Sequence, residues 1–223
     1  MTKKTPRHPL VMFDLDGTLI DSGRDICTAV NLMRKDYGLA PLPCPTVIGY
    51  VGDGIRQLVK RSLRRHAVDL EEATRVCARH YRAHLHDRTT LYPGVRDGLR
   101  RLRRAGYRLA VISNKPRAAC RKILRHFRIA PLFSVVLGGG DTQRLKPHPE
   151  PLRAALRQTR TDAKRSWMVG DHKTDLEAAR RAHVRSIFLP HGLGVRGGLQ
   201  PTRVFRSFRT MADFLVSEAA RSR

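Results

Sequence analysis

The chain is short of acidic residues, cysteines and aromatics, and it has no long hydrophobic run. Against 44 Lys and Arg it sets only 19 Asp and Glu, a formal net charge of +25, and 35 of the 44 cations are arginine. The four cysteines, Cys27, Cys44, Cys77 and Cys120, stand at no paired spacing. That argues against a zinc site and against a disulfide framework, and it points to a reducing cytoplasm. Lys3, Lys4 and Arg7 precede an apolar run, but Asp14 interrupts it after Phe13, too early for a signal-peptide core. No later stretch is long enough to span a bilayer, so no membrane partner is expected. Aromatics make up 6% of the residues, too few to interleave with the basic residues as a stacking surface for bases.

What is present is a globular composition, 41% hydrophobic over 223 residues, enough for one sizeable core and an inserted subdomain. The positive charge has two readings. One is attraction to polyanions, nucleic acid included, through phosphate neutralisation. The other is a solvated basic surface. Clusters such as Arg100-Arg101-Leu102-Arg103-Arg104 and Arg61 to Arg65 suit the polar faces of amphipathic helices, and no single arm collects the charge.

Leu10 to Phe13, followed closely by Gly17, reads as a buried strand running into a loop. The same signal returns at Leu109 to Ile112, Ser134 to Leu137, Ser166 to Val169 and Val184 to Leu189. Helical patterns lie between them, about Val95 to Ala105, Pro116 to Phe127, Pro149 to Gln158 and Lys173 to Ala182. Such alternation predicts an α/β fold, a doubly wound parallel sheet. Between about Asp21 and Leu91 lie three helical segments, near Ser22 to Tyr37, Thr46 to Arg65 and Leu70 to His86, and no convincing strand. This predicts a small α-helical insertion at 21–91, with 1–20 and 92–223 forming the core. The tail from Val204 suggests a short strand and then a helix from about Met211 to Ala219.

Four constellations stand at predicted strand ends. Asp14 and Asp16, two apart, can project to one side of the sheet's carboxyl edge, where open α/β sheets bind ligands. Two such carboxylates facing a phosphate repel it unless a cation joins them, and hard oxygen donors suit Mg²⁺. One can then attack phosphorus while the other acts as acid and base. The competing reading makes one a turn cap and leaves the other exposed. Gly17-Thr18 permits a tight turn that presents amides to an anion. Ser113-Asn114-Lys115-Pro116 places a phosphate-binding serine, or a plain helix cap, before a helix N-terminus. Lys146, held among Pro147, Pro149 and Pro151, can neutralise a transferring phosphoryl group. Asp171 can complete a metal site, and Asp175, four residues on, can lie beside it.

In this order the motifs resemble the haloacid dehalogenase superfamily over nearly the whole chain. The resemblance implies Asp14 as nucleophile and Asp16 as general acid and base, with Ser113 and Lys146 completing the catalytic set. It implies a phosphate and substrate site of Thr18, Ser113, Asn114 and Lys146, and Mg²⁺ held by Asp14, the main-chain carbonyl of Asp16, Asp171 and Asp175. Asp16 argues against dehalogenation. Asp21-Ser22, Val51-Gly52-Asp53-Gly54, Tyr92-Pro93-Gly94 and the helical insertion are similar to the capped, phosphoglycolate phosphatase-like branch. The activity so implied is hydrolysis of a small phosphorylated metabolite, with phosphoglycolate first. Another small phosphorylated metabolite (a sugar phosphate, a nucleotide or pyrophosphate), a phosphoglucomutase-like transfer, or a nucleic-acid-associated binding role stand as alternatives. A monomer or homodimer is expected. His172, where that branch usually has serine, reads as a surface histidine or as a group beside the metal. Arg56 either reaches into the site to hold a carboxylate or second phosphate, or faces solvent.

Overall fold

A computed structural model describes residues 9–64 and 66–221. Lys3, Lys4, Arg7 and the Arg65 end of the second basic cluster lie outside the described residues. Strand β1 (Leu10–Phe13) is central in a six-stranded sheet. The short pair β2 (Ile20–Asp21) and β3 (Thr90–Leu91) lies apart from it. The sheet continues with β4 (Arg108–Pro116), β5 (Val135–Gly139), β6 (Trp167–Gly170), β7 (Arg185–Phe188) and β8 (Arg203–Val204). Its order is β5-β4-β1-β6-β7-β8, and every pairing is parallel.

The apolar run of β1 has no polar alternation because both faces of the sheet are covered. Leu10 and Met12 join Ala110, Ile112 and Met168 in one core layer. Val11 and Phe13 join Val111 and Val169 in the other, with the Phe13 ring 5.6 Å from that of Phe208. The first face is covered by α7 (Glu150–Thr159) and α8 (Lys173–Ala182), the second by α5 (Val95–Arg104), α6 (Arg117–His126) and α9 (Phe208–Arg221). The doubly wound α/β expectation holds. The last helix begins three residues earlier than its sequence pattern suggested because Phe208 packs into the core.

The insertion departs from its sequence reading in three ways. It carries four helices, α1 (Gly23–Asp36), α2 (Cys44–Ile48), α3 (Ile55–Leu63) and α4 (Leu70–Ala83), since the expected Thr46 to Arg65 segment breaks between Gly49 and Gly54. Gly52 and Gly54 there adopt positive φ of 120° and 87°, which a helix cannot accommodate. The insertion also leaves and re-enters through strands: β2 and β3 pair antiparallel, Ile20 opposite Leu91 and Asp21 opposite Thr90. Two residues each are too few to show a period.

Lastly, Cys27 and Cys44 form a disulfide, with Cα atoms 5.4 Å apart, against the expectation of none. Seventeen residues separate them, a spacing that carries no signature. Asn31 brings them together, its side chain donating to the Leu42 carbonyl at 2.9 Å and accepting from the Leu42 amide at 2.8 Å, so the α1–α2 connection folds back. The inference of a reducing compartment rested on unpaired cysteines and loses that support. Cys77 and Cys120 are buried and free. No helix among the described residues is long and apolar enough to cross a membrane.

Candidate active site

The carboxyl ends of β1, β4 and β6 lie side by side, and the predicted residues meet there. Asp14 follows β1 and is 8% exposed; its amide donates to the Val169 carbonyl on β6 at 3.0 Å, fixing the chain as it leaves the sheet. The carboxylate accepts from the Leu15 amide at 2.7 Å and lies 3.1 Å from Lys146 Nζ. Burial raises the Asp14 pKa to about 6; Lys146 opposes the shift, and the neighbouring Asp175 and Asp16 carboxylates reinforce it.

Lys146 is 2% exposed, and its three ammonium protons meet three acceptors: Asp175 Oδ1 at 2.6 Å, the Ile112 carbonyl at 2.7 Å and Asp14. Burial alone would lower its pKa. Asp14 and Asp175 outweigh that and hold it above the ordinary lysine range. The Asn114 side chain positions this lysine's backbone: it accepts from the Lys146 amide at 2.9 Å and donates to the Lys146 and Gly52 carbonyls, each at 2.8 Å. Its polar atoms are therefore engaged within the chain, and it touches the pocket from that fixed position.

Asp171, after β6, accepts from Thr18 Oγ1 at 2.7 Å and from the Leu193 and Gly194 amides at 2.9 Å each. Its pKa is pushed well up, first by burial and then by Asp175 and Asp14. Gly17 is required beside it: φ is +80°, and a Cβ there would fall 2.0 Å from Asp171 Oδ2. Thr18 thus supports Asp171 directly. Asp175, fully buried on the first turn of α8, accepts from Lys146 and from the His172 amide at 3.1 Å. Asp14, Asp171 and Asp175 each offer an oxygen within 4.8 Å of the others. Three buried carboxylates with one ammonium among them leave surplus negative charge, which adds to burial in raising the pKa values of Asp14 and Asp171. Such an all-oxygen, electron-rich site fits a hard divalent cation such as Mg²⁺.

Asp16 lines the same pocket but is not one of these three converging carboxylates. Both its oxygens accept from Lys115 Nζ at 2.7 Å, and Ser22 Oγ donates to Oδ1. Lys115, two residues after Ser113 on β4, is buried beside Asp16, a role that its place in the motif does not announce. Its ammonium also lies 4.5 Å from the ring centroid of Tyr81 on α4, a contact that no sequence signal announced. Asp14, Asp16, Ser113, Asn114, Lys115 and Asp171 line one pocket, whose opposite wall comes from the insertion.

For Arg56 and His172 the geometry sets aside one of two readings each. The Arg56 guanidinium pairs with Glu71 at 2.7 Å on the insertion's outer side, its side chain 57% exposed, and it does not line the pocket. Ile55 lines the pocket, and the next residue of α3, about 100° further round the helix, falls on the outward side. His172 is not a surface residue: it is 7% exposed and caps α8, its Nδ1 accepting from the Thr174 amide at 3.3 Å. Burial lowers its pKa. The Gly52 loop passes so closely that a Cβ there would lie 2.8 Å from the ring.

The sequence pattern of the haloacid dehalogenase-like hydrolases matches residues 11–189. A phosphoglycolate phosphatase of Colwellia psychrerythraea is 35% identical over 222 residues, covering 96% of this chain and 98% of that protein. One from Neisseria meningitidis is 40% identical over 190 residues, covering 82% of this chain and 81% of its own. The crystal structure of a predicted phosphoglycolate phosphatase from Haemophilus somnus superposes with a TM-score of 0.87 at 28% identity, covering 94% of this chain and 99% of the other. With its motif residues assembled at one sheet edge, the chain belongs to the haloacid dehalogenase-like hydrolase family, in the phosphoglycolate phosphatase-like branch, as a phosphatase-type hydrolase.

Proposed function

We propose that the protein hydrolyses phosphomonoesters through an aspartyl-phosphate on Asp14, with Mg²⁺ bound, and that 2-phosphoglycolate is its substrate. The observation that carries this is the Asp14 carboxylate held 3.1 Å from a buried, fully coordinated lysine, with Asp171 beside it. Asp14, Asp171 and the Asp16 carbonyl, with Asp175 in support, would hold the cation. When bound it neutralises charge on the phosphoryl group and the carboxylates.

In the first step an Asp14 oxygen attacks phosphorus, the ester P–O bond breaks, and the leaving alkoxide takes a proton from Asp16. In the second, Asp16 takes a proton from water, the water oxygen attacks phosphorus, and the P–O bond to Asp14 breaks, restoring the carboxylate and releasing phosphate. Lys146 balances charge on the phosphoryl oxygens, and Ser113 lines the space they would occupy. Ser22 and Lys115 fix the direction in which Asp16 presents its carboxyl group. Residues 21–91 serve as a cap that closes the pocket over the core formed by 9–20 and 92–221, excluding water while the ester is cleaved.

The test is phosphate release from 2-phosphoglycolate and from p-nitrophenyl phosphate, with and without Mg²⁺. Hydrolysis should require the metal, and Asp14→Asn should lower kcat at least about a thousandfold, since it removes the nucleophile. An Asp14→Asn enzyme of wild-type rate sinks the mechanism. Preference for another phosphorylated metabolite across a panel sinks only the substrate assignment.

A further inference from the structure

The inward face of α4 carries Ala73, Cys77 and Tyr81 at four-residue spacing, all buried. Tyr81 differs from the others in ending on a hydroxyl. It is 8% exposed, it lines the pocket that holds Asp14 and Asp16, and its hydroxyl proton has no acceptor among the described residues, the Lys115 ammonium beside it being a donor only. A buried phenol left unpaired is costly, so a partner arriving in the pocket gains what the empty protein lacks.

Lys115 stands beside it, under its ring, and is 7% exposed. An ammonium has three protons, and Asp16 accepts at two positions, 2.7 Å each. One donor remains. Among the described residues that line the pocket Lys115 is also the one lysine or arginine, Arg56 being turned outward to Glu71. Away from the sheet edge, the insertion's wall is otherwise apolar: Ile26, Ala29, Val51, Ile55 and Leu58. An anionic group on the leaving half of a substrate therefore has a single place to go.

We propose that Tyr81 and Lys115 form the subsite for a carboxylate on the leaving alcohol, the Tyr81 hydroxyl and the remaining Lys115 N–H each donating to it. The proposal rests on the phosphatase reading above. A two-carbon leaving group places its carboxylate next to the ester oxygen that Asp16 protonates, and Lys115 already bridges from Asp16 toward Tyr81. The ammonium then lies between two carboxylates and offsets their repulsion. Longer, uncharged alcohols would meet the apolar wall with the Tyr81 hydroxyl still unpaired, so the subsite selects by charge as well as by size.

The experiment compares kcat/KM for 2-phosphoglycolate with that for ethyl phosphate, in which a methyl group replaces the carboxylate, using the Mg²⁺-loaded full chain. Wild type should prefer the carboxylate. Tyr81→Phe keeps the ring and its contact with Lys115 while deleting the donor, and it should reduce the preference ratio by about tenfold to a hundredfold. A ratio unchanged in Tyr81→Phe, or equal losses on both esters, overturns the subsite. So does a wild type that cleaves the two esters equally well, and in that case phosphatase activity itself still stands. Release of phosphate from neither ester, nor from p-nitrophenyl phosphate, removes the phosphatase reading and the subsite with it.

Discussion

Asp14, Asp171 and Asp175 converge within 4.8 Å, and the side chains around them must manage that charge. The sign of its pH dependence follows from Asp14. Its pKa rises from 3.8 to about 6 on folding, so the folded metal-free protein holds this proton after the unfolded chain has lost it. The contribution to stability is therefore largest at low pH and is lost as pH rises from about 4 to about 6. A divalent cation binds the ionised form and must compete with the proton below about 6. We expect saturating Mg²⁺ to raise the unfolding temperature markedly at about pH 7.5 and little at about pH 5, as read by thermal unfolding in paired buffers. Asp14→Asn cannot ionise there and should show a smaller difference between the two. Equal Mg²⁺ shifts at both pH values in wild type would show that Asp14 is not a ligand. At this scale the sequence was informative because Asp14 and Asp171 each directly follow a strand and Lys146 stands among prolines. It was silent on Tyr81, which reaches Lys115 only through packing between α4 and β4, and it misplaced Arg56, because α3 rotates that position away from the pocket.

The insertion is anchored by a buried carboxylate that its sequence does not advertise. Asp25 on α1 is 1% exposed, and its two oxygens accept from the Arg88 amide, from the Thr89 amide at 2.9 Å and from Thr89 Oγ1 at 2.6 Å. These bonds fasten the first insertion helix to the segment leading into β3, so exit and return are held as one unit. Asp25→Ala would leave the buried Thr89 amide and hydroxyl, and the partly buried Arg88 amide, without their acceptor. We expect a loss of about 2 to 4 kcal/mol, seen as a lower denaturant midpoint. Asp25→Asn, which keeps acceptor capacity, should lose less, and a neutral Asp25→Ala would mean the anchor lies elsewhere. The sheet strands were readable because both faces are buried and their apolar runs are continuous. The β2–β3 pair and the break between α2 and α3 were not. The former spans two residues a side, and the latter turns on glycine backbone angles that leave no periodic trace.

For the whole molecule, the +25 charge is the dominant long-range feature. Surface ion pairs such as Arg75–Glu72 and Arg180–Glu177 are already counted in that net value, exposed pairs contribute little, and Arg100, Arg103 and Arg104 on α5 are exposed. The same excess draws polyanions to the surface, with an affinity that must fall steeply with salt. Within the molecule it acts as self-repulsion, opposing the compact state and strongest when screening is weak. The Debye length shortens from about 30 Å at 0.01 M salt to about 3 Å at 1 M, from beyond the spacing of most surface charges to below it. Sodium chloride should therefore stabilise the fold. A gain of about 1 kcal/mol corresponds to about 2 to 4 °C in the unfolding temperature for a chain of this size. A scan of unfolding temperature against sodium chloride at fixed pH, without Mg²⁺, should rise by at least that much. A flat or falling curve would mean that the surface ion pairs, weakened by the same screening, outweigh the repulsion, and that the arginines are placed to neutralise one another's surroundings despite their number.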